Sequence, residues 1–377
     1  MGGLTMDQAF VQAPEHRPKP LVTEATGIPL IDLSPLSASG GAVDALAAEV
    51  GAASRDWGFF VVVGHGVPAE TMARATEAQR AFFALPAERK AAVRRNEAEP
   101  LGYYESEHTK NVRDWKEVYD LVPREPPPPA AVADGELVFE NKWPQDLPGF
   151  REALEEYAKA MEELAFKLLE LIARSLKLRP DRLHGFFKDQ TTFIRLNHYP
   201  PCPSPDLALG VGRHKDAGAL TILYQDDVGG LDVRRRSDGE WVRVRPVPDS
   251  FIINVGDLIQ VWSNDRYESA EHRGVGELGE GEVLHALLLQ PGDLHHGGAG
   301  GGAGEQGRSA QVRRLQLGRL LQHQEEQQLQ EAQRGEHSDR AFQEEPRPRL
   351  TTATARIHAI AMSSSDSEHA MSSLASW

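Results

Sequence analysis

The chain has a single cysteine, Cys202, among its 377 residues. An intramolecular disulfide is therefore excluded, and a reducing compartment is expected, with the cytoplasm as the default location. No stretch approaches the roughly 18 consecutive apolar residues that a membrane-spanning helix needs. The first residues, Met-Gly-Gly-Leu-Thr-Met, lack the basic and apolar regions of a secretory signal. These absences predict a cytoplasmic protein without a membrane partner.

Basic residues are also fewer than acidic ones. The chain carries 41 Lys and Arg against 56 Asp and Glu, which gives a net charge of -15. This balance argues against a nucleic acid or an anionic membrane surface as the main partner. The hydrophobic share of 40% is nevertheless that of an ordinary globular protein.

Aromatic residues almost disappear from the last part of the chain. From Gly274 onward the only ones are Phe342 and Trp377, while Gln, Arg, Glu and Gly dominate. Such a composition buries too little apolar surface to offset the entropy lost on ordering. Residues 274–377 are therefore predicted to be a disordered, low-complexity tail.

The rest of the chain has helical patterns first and strand patterns afterwards. Phe150–Leu176 has apolar residues three and four positions apart, which predicts a scaffold helix with one buried stripe. The stripe consists of Leu154, Tyr157, Met161, Leu164, Leu168 and Leu171. From Thr191, short β-branched and aromatic runs recur, and Leu258–Trp262 is predicted to be one of these strands. This order predicts a β-sandwich or barrel rather than a doubly wound parallel sheet.

The most informative side chains are His214, Asp216 and His272. His214 and Asp216 stand two apart, so on one strand they would point to the same side. His272 reaches them only if the sheet folds over as in a jelly roll. Two imidazoles and one carboxylate suit an Fe(II) site with open positions, and zinc is the alternative metal. The remaining alternative is two histidines and an acid in solvated loops.

Several motifs accompany these three residues in a fixed order. They are Ile28-Pro-Leu-Ile-Asp-Leu, Trp57-Gly-Phe-Phe-Val with Gly64-His-Gly-Val-Pro, Asn197-His-Tyr-Pro-Pro-Cys-Pro, Gly210-Val-Gly-Arg-His-Lys-Asp, Gly229-Gly-Leu, Phe251-Ile-Ile-Asn-Val-Gly-Asp and Glu271-His-Arg. Up to Arg273, the chain resembles the plant soluble 2-oxoglutarate- and Fe(II)-dependent dioxygenases. Flavonol synthases, anthocyanidin synthases and gibberellin oxidases belong to that family.

The resemblance implies an α+β, mainly β fold, namely a double-stranded β-helix (a cupin-like jelly roll) with an N-terminal helical layer. It implies that His214, Asp216 and His272 bind Fe(II), and that Tyr199 and Asn197 line the site of the co-substrate 2-oxoglutarate. O2 and a small metabolite, in the class of plant specialised metabolites or hormones, are the other reactants. The products would be succinate, CO2 and a hydroxylated or desaturated metabolite. Because some members use ascorbate, it is a further candidate reductant.

By the same resemblance the chain divides into five segments. They are a flexible arm at 1–26, an N-terminal dioxygenase region at 27–135, scaffold helices at 136–190, the catalytic core at 191–273 and the tail at 274–377. Arg195 and Lys215 are the candidate substrate residues, because they would suit an anionic or phenolic compound. The alternative for both is an ordinary charge at the rim.

The family pattern ends after Arg273. The family has an Arg-x-Ser pair that binds the far carboxylate of 2-oxoglutarate, and at that position this chain has Glu282, which would repel the carboxylate. Read one base later, degenerate codons for Glu282–Pro291 spell Arg-Phe-Ser-Met-Pro-Phe-Phe-Phe-Asn-Pro, the expected motif. We therefore hypothesise a frameshift close to Gly274, and expect this chain to lack the last strands of the jelly roll and to turn over feebly.

Two other functions remain open from the residues alone. The altered C-terminus allows a catalytically impaired, metal-binding remnant of such an enzyme. The ligand set by itself also allows a cupin-like zinc binder.

Overall fold

Helices and strands occupy most of the residues that the computed structural model describes, which are 6–18, 23–24, 27–37, 41–96, 98–123, 139–187, 190, 192–275 and 282–291. The α-helices are α1 (Gly41–Asp56), α2 (Ala69–Phe83), α3 (Ala87–Ala91), α4 (Phe150–Ser175) and α5 (Asp257–Trp262). The strands are β1 (Thr23–Glu24), β2 (Leu30–Asp32), β3 (Phe59–Val63), β4 (Gly102–Tyr104), β5 (His108–Thr109), β6 (Val112–Arg113), β7 (Glu117–Leu121), β8 (Phe193–Tyr199), β9 (Val211–His214), β10 (Leu220–Gln225), β11 (Leu231–Arg234), β12 (Trp241–Arg243), β13 (Phe251–Val255), β14 (His272–Gly274) and β15 (Glu282–Leu289).

Within the described residues the strands form two large sheets and a small hairpin. The first sheet has the order β2-β3-β13-β10-β15-β8-β7-β4, the second has the order β1-β12-β11-β14-β9, and β5 pairs with β6. Neighbouring strands of the first sheet run antiparallel from β3 to β4, and only β2 lies parallel to β3. The two sheets enclose a shared apolar cluster of Phe59, Val61, Leu231, Val233, Val244, Ile252 and Ala270. This arrangement is the jelly roll that the sequence predicted.

The helical layer is anchored by α4, as predicted. Its apolar stripe of Leu154, Tyr157, Met161, Leu164, Leu168 and Leu171 is at most 1% exposed. The spacing of three and four residues places these side chains on one face of the helix. Burial of that face against neighbouring elements, including α1 and α2, is what holds α4 in place.

The strand predicted at Leu258–Trp262 is wrong, because these residues belong to helix α5. A five-residue run with four apolar residues is compatible with either element, and its period alone does not distinguish them. Tertiary contacts decide the outcome: the N–H groups of Asp257 and Leu258 donate to the backbone oxygens of Asp216 and Gly218, at 2.8 and 3.1 Å. Bonds from the first turn to a neighbouring loop satisfy donors that a helix start leaves free.

Strand β15 departs from the expected loss of the last strands. Its backbone pairs with β10 on one side and with β8 on the other, so it lies inside the first sheet. The apolar residues Leu284, Ala286, Leu287 and Leu289 are buried there. Their apolar character suits a strand flanked on both sides, although the surrounding composition suggested a tail. The rest of the predicted tail, at 276–281 and 292–377, lies outside the described residues.

Two residues of the N-terminal arm, which is predicted to be flexible, contact other parts of the chain. Gln12 is 5% exposed, and its N–H donates to the Leu207 oxygen at 2.8 Å. The ring of Phe10 packs edge-on against Trp115 with centroids 4.8 Å apart. These contacts join the arm to the β6–β7 and β8–β9 connections.

The sheets lie in one compact unit, made of Met1–Gln260 and Arg266–His296. A second unit combines Val261–Asp265 with Gly297–Trp377, and only the first of these two segments is described. Among the described helices, none is both long enough and apolar enough to cross a bilayer.

Candidate metal centre

His214, Asp216 and His272 converge on one point, as the sequence predicted. Their potential ligand atoms all lie within 4.8 Å of one another. The Nε2 atoms of His214 and His272 are 3.5 and 3.6 Å from Oδ1 of Asp216. The convergence arises because β9 and β14 are antiparallel neighbours in which His214 stands opposite His272. Atoms spaced in this way can surround one ion.

Both imidazoles are fixed by their other ring nitrogen. Nδ1 of His214 lies 2.8 Å from the Gly212 oxygen, and Nδ1 of His272 lies 3.2 Å from the Ala270 oxygen. A carbonyl oxygen only accepts, so each Nδ1 carries the proton and each Nε2 presents its lone pair to the centre. The ring of Phe59 packs edge-on against His272 at 5.2 Å, which also limits its rotation.

Asp216 lies just beyond the strand on which the sequence argument placed it. Strand β9 ends at His214, so the rule of alternating side chains does not explain the position of the carboxylate. Its place is fixed by hydrogen bonds from Thr221 Oγ1 at 2.5 Å and Asn254 Nδ2 at 2.6 Å, both to Oδ2. Because both donors use Oδ2, Oδ1 is left to face the two histidines.

Gly256 allows this loop to approach the start of α5. A Cβ atom at Gly256 would lie 2.2 Å from the Gly218 oxygen and 3.0 Å from the Asp216 oxygen. Any side chain would therefore push the loop that carries Asp216 away. The glycine of the Asn-Val-Gly-Asp motif serves close packing beside the metal ligands.

The protonation states also suit metal binding. Burial, reinforced by the neighbouring His272, lowers the pKa of His214 to about 3, so its imidazole is neutral at physiological pH. Although burial opposes it, the pKa of the Asp216 carboxyl is held below its usual range by His272 and His214 and by hydrogen bonds from Thr221 and Asn254. Two imidazoles and one carboxylate are the donor set of non-haem Fe(II) sites.

Tyr199 and Asn197 lie on β8 and are each 5% exposed. Residues two apart on a strand share a face, so both side chains point to the same side of the first sheet. Tyr199 packs with Val211 of β9, the strand that ends in His214. Its ring also lies against Gly210, where a Cβ would be 2.5 Å from Cδ1 of Tyr199. This packing brings Tyr199 to the strand of the metal centre.

The two candidate substrate residues differ in their surroundings. Lys215 is exposed between the two ligands His214 and Asp216. Arg195 is 5% exposed and shares the face of Asn197 and Tyr199 on β8. Asp120 accepts two hydrogen bonds from its guanidinium, both at 2.8 Å, and Glu107 accepts a third at 3.0 Å. Arg195 is thus paired within the protein.

The roles of Thr221 and Asn254 were missed in the sequence. Asn254 belongs to the motif Phe251-Ile-Ile-Asn-Val-Gly-Asp, but nothing in its spacing connects it with Asp216. The connection is made by the sheet, because β10 and β13 are neighbours in which Thr221 stands opposite Asn254. Strand pairing of this kind is the signal that would have placed both side chains at one carboxylate.

Comparisons with known proteins agree with this geometry. Residues 28–146 match the family described as non-haem dioxygenase in morphine synthesis N-terminal, and residues 190–283 match the 2OG-Fe(II) oxygenase superfamily. The chain is 36% identical over 283 residues to Jasmonate-induced oxygenase 2 of Arabidopsis thaliana, covering 72% of this chain and 73% of that protein. It is 34% identical over 293 residues to naringenin,2-oxoglutarate 3-dioxygenase of Matthiola incana, covering 77% and 80%.

Solved structures show the same relationship. The crystal structure of JOX2 in complex with 2OG, Fe, and JA matches with a TM-score of 0.64 and 34% identity, over 76% of this chain and 80% of that one. The dioxygenase for auxin oxidation of rice matches with a TM-score of 0.58 and 33% identity, over 71% and 84%. These similarities favour an enzyme over a remnant or a zinc binder. The chain belongs to the 2-oxoglutarate- and Fe(II)-dependent oxygenases, and is a dioxygenase with a jelly-roll fold that uses Fe(II), 2-oxoglutarate and O2 on a small molecule.

Proposed function

We propose that His214, Asp216 and His272 are the iron ligands of this dioxygenase, and that Tyr199 and Asn197 line its 2-oxoglutarate site. The observation that carries the proposal is the convergence of one potential ligand atom from each of the three residues, all within 4.8 Å of one another. When bound, iron would activate O2, which is the oxidant for hydroxylation or desaturation of the substrate, and 2-oxoglutarate would supply two of the electrons as it is oxidised to succinate and CO2. Ascorbate is proposed as an accessory reductant.

In this chemistry the residues of the protein orient the metal ligands and the co-substrate. The carbonyl oxygens of Gly212 and Ala270 keep both imidazoles in the tautomer that binds a cation. The single carboxylate, Asp216, leaves an Fe(II) site net positive, which favours a dianionic co-substrate. The phenol of Tyr199 is suited to donate a hydrogen bond to a carboxylate of 2-oxoglutarate.

Separate titrations test the assignment. In an anaerobic titration, Fe(II) should bind even when 2-oxoglutarate is absent. His272→Ala should abolish that binding. The matched control is His184→Ala, because His184 is half-buried, lies near Glu170 and is outside the centre. Tyr199→Phe should keep Fe(II) binding and weaken 2-oxoglutarate binding. Unchanged Fe(II) affinity in His272→Ala would refute the ligand assignment.

We further propose that the substrate is a small metabolite of the plant specialised or hormone class, contacted by Arg195 and Lys215. The relatives named above support this class by their own substrates. Because Asp120 and Glu107 already balance the charge of Arg195, a neutral hydrogen-bonding part of the substrate would face β8. An anionic part would face Lys215, which is exposed beside the ligands.

A comparison of an acidic substrate with its neutral methyl ester tests whether the anionic part of the substrate faces Lys215. For a carboxylate and its methyl ester, Lys215→Met should raise the KM of the acid and leave that of the ester nearly unchanged. Asp120→Asn, which leaves Arg195 partly uncompensated, should lower the KM of the acid. An equal response of acid and ester to both variants would contradict the proposal.

We propose the cytoplasm as the location, without nucleic-acid or membrane partners. The support is a single, buried cysteine, Cys202, and a net charge of -15. Fractionation of cells that express the tagged chain tests this: recovery with membranes or chromatin would contradict it.

A further inference from the structure

A buried group of charged side chains lies beside the strand that carries His214. It consists of Arg95, Glu107, Asp114, Lys116, Asp120 and Arg195, whose side chains are at most 12% exposed. Its ion pairs connect β7, β8 and residues 95–116, which precede β7. One member, Asp114, reaches outside the group and contacts the backbone of β9.

The carboxylate of Asp114 accepts hydrogen bonds from both β9 and β5, at a point where these two strands lie close together. Its Oδ1 accepts the N–H of Gly212 at 3.0 Å, and its Oδ2 accepts the hydroxyl of Thr109 at 2.8 Å. Gly212 and Thr109 touch directly, since a Cβ on Gly212 would lie 2.8 Å from Cβ of Thr109. Asp114 is 2% exposed, so water does not compete for these bonds.

Strand β9 needs such support because it is the last strand of its sheet. Its only strand neighbour in the described second sheet is β14, and the register between the two shifts between His272 and Gly274. The outer N–H of an edge strand otherwise has no partner within the sheet. Asp114 supplies that partner at Gly212, two residues before His214.

Gly212 in turn fixes the imidazole of His214. Its oxygen accepts the Nδ1–H of His214 at 2.8 Å. The two polar backbone atoms of Gly212 therefore link a buried carboxylate on one side to a metal ligand on the other. We propose that Asp114 is a positioning residue of the metal centre: it holds Gly212, and Gly212 holds the imidazole of His214 in its ligating orientation. The inference rests on the proposed ligand role of His214.

Matched variants separate the hydrogen bond from the charge. Asp114→Asn keeps an oxygen acceptor for Gly212 and leaves an amide that suits the hydroxyl of Thr109, whereas Asp114→Ala removes the acceptor and leaves a buried N–H without one. The measurement is Co(II) affinity and the Co(II) absorption spectrum of the full chain. Outer partners of metal ligands commonly contribute 10- to 100-fold in affinity, so Asp114→Ala should bind Co(II) about tenfold more weakly, with a shifted spectrum. Asp114→Asn should restore both.

Glu117→Gln is the control for loss of a partly buried carboxylate. Glu117 binds Lys90, Tyr103 and His198 on the other face of β7. It should leave the Co(II) affinity unchanged. Equal Co(II) affinity in Asp114→Ala and the unmutated chain would overturn the proposal, and so would an equal loss in Asp114→Asn and Asp114→Ala.

One measurement does not depend on a folded variant. Hydrogen exchange of the Gly212 amide in the unmutated, metal-free chain should be slow, because its N–H is bound to Asp114. Rapid exchange of that amide would overturn the proposal. Absence of Co(II) binding in His214→Ala is expected, whereas undiminished binding there would refute the ligand role of His214 rather than the Asp114 contact.

Discussion

At the scale of single residues, the metal centre depends on two neutral donors that share one oxygen of Asp216. Thr221 and Asn254 both bind Oδ2, and this leaves Oδ1 as the ligand atom. Thr221→Val keeps the shape of the side chain and removes its hydroxyl, so Asp216 should lose its fixed orientation. We expect Fe(II) affinity to fall about tenfold, within the range seen for such outer partners.

Thr221→Ser is the matched control, because it retains the hydroxyl. Anaerobic Fe(II) titration of the two variants measures the difference. The role of Thr221 would be disproved by Fe(II) binding in Thr221→Val as tight as in the unmutated chain.

At the scale of elements, strand β15 contains a side chain that does not suit its place. His285 is 1% exposed and packs against the rings of Tyr157 and Tyr224, each with centroids 5.3 Å away. Neither ring nitrogen has a hydrogen-bond partner among the described residues. A buried polar group without a partner destabilises a fold by about 1–3 kcal/mol. His285→Met, which introduces the residue read in the shifted frame, should therefore raise the free energy of unfolding by about that amount.

The pH dependence of the same variant follows from the histidine. Burial, with a smaller contribution from the charge of Arg80, lowers the pKa of His285 to about 3 in the folded chain. An unfolded histidine titrates near 6.5, so between about 6.5 and 3 only the unfolded state takes up the proton. The unmutated chain should lose stability relative to His285→Met as pH falls through that range, by about 1.4 kcal/mol per pH unit. Urea unfolding at several pH values measures this, and a constant difference would contradict it.

Elements with a strong local pattern were predictable from the sequence. The run Phe193–Tyr199 alternates and is stopped by prolines, and β8 has the same bounds. Helix α5 was not predictable, because its first turn is stabilised by the loop around Asp216 rather than by its own residues. The link from Asp114 to Gly212 was equally hidden, since it joins positions 98 residues apart. Sequence patterns report local order and individual ligands, whereas the groups that orient those ligands depend on tertiary contacts.

At the scale of the whole molecule, the residues of the metal centre follow the family pattern, whereas the C-terminal part of the first sheet departs from it. All three proposed iron ligands precede Gly274, and the superfamily match ends at residue 283. The backbone of Glu282 pairs with Tyr199 on β8. An arginine introduced at residue 282 would thus stand opposite the proposed 2-oxoglutarate residue. Glu282→Arg should strengthen 2-oxoglutarate binding, since a charge-assisted pair is gained and a repulsive charge is lost.

Glu282→Gln is the control for removal of the negative charge alone. Calorimetric titration should give 2-oxoglutarate affinities in the order Arg, Gln, Glu at this position. An affinity for 2-oxoglutarate in Glu282→Arg no higher than in Glu282→Gln would show that position 282 does not serve the co-substrate.

The frameshift hypothesis concerns the chain as a whole, because one base near codon 274 changes every residue after it. Restoring the other frame supplies the arginine of the family motif and replaces the histidine at 285 together with the low-complexity residues that follow. Removing one partner of a buried charge pair costs about 2–5 kcal/mol, and about 1.4 kcal/mol is tenfold, so the restored chain should bind 2-oxoglutarate at least about 30-fold more tightly. It should also release succinate faster under saturating substrate. Sequencing of the locus and its transcript tests the origin: an uninterrupted frame identical to the present chain, in both DNA and RNA, would exclude a sequence error, and equal 2-oxoglutarate affinities of the two proteins would exclude the physical argument behind it.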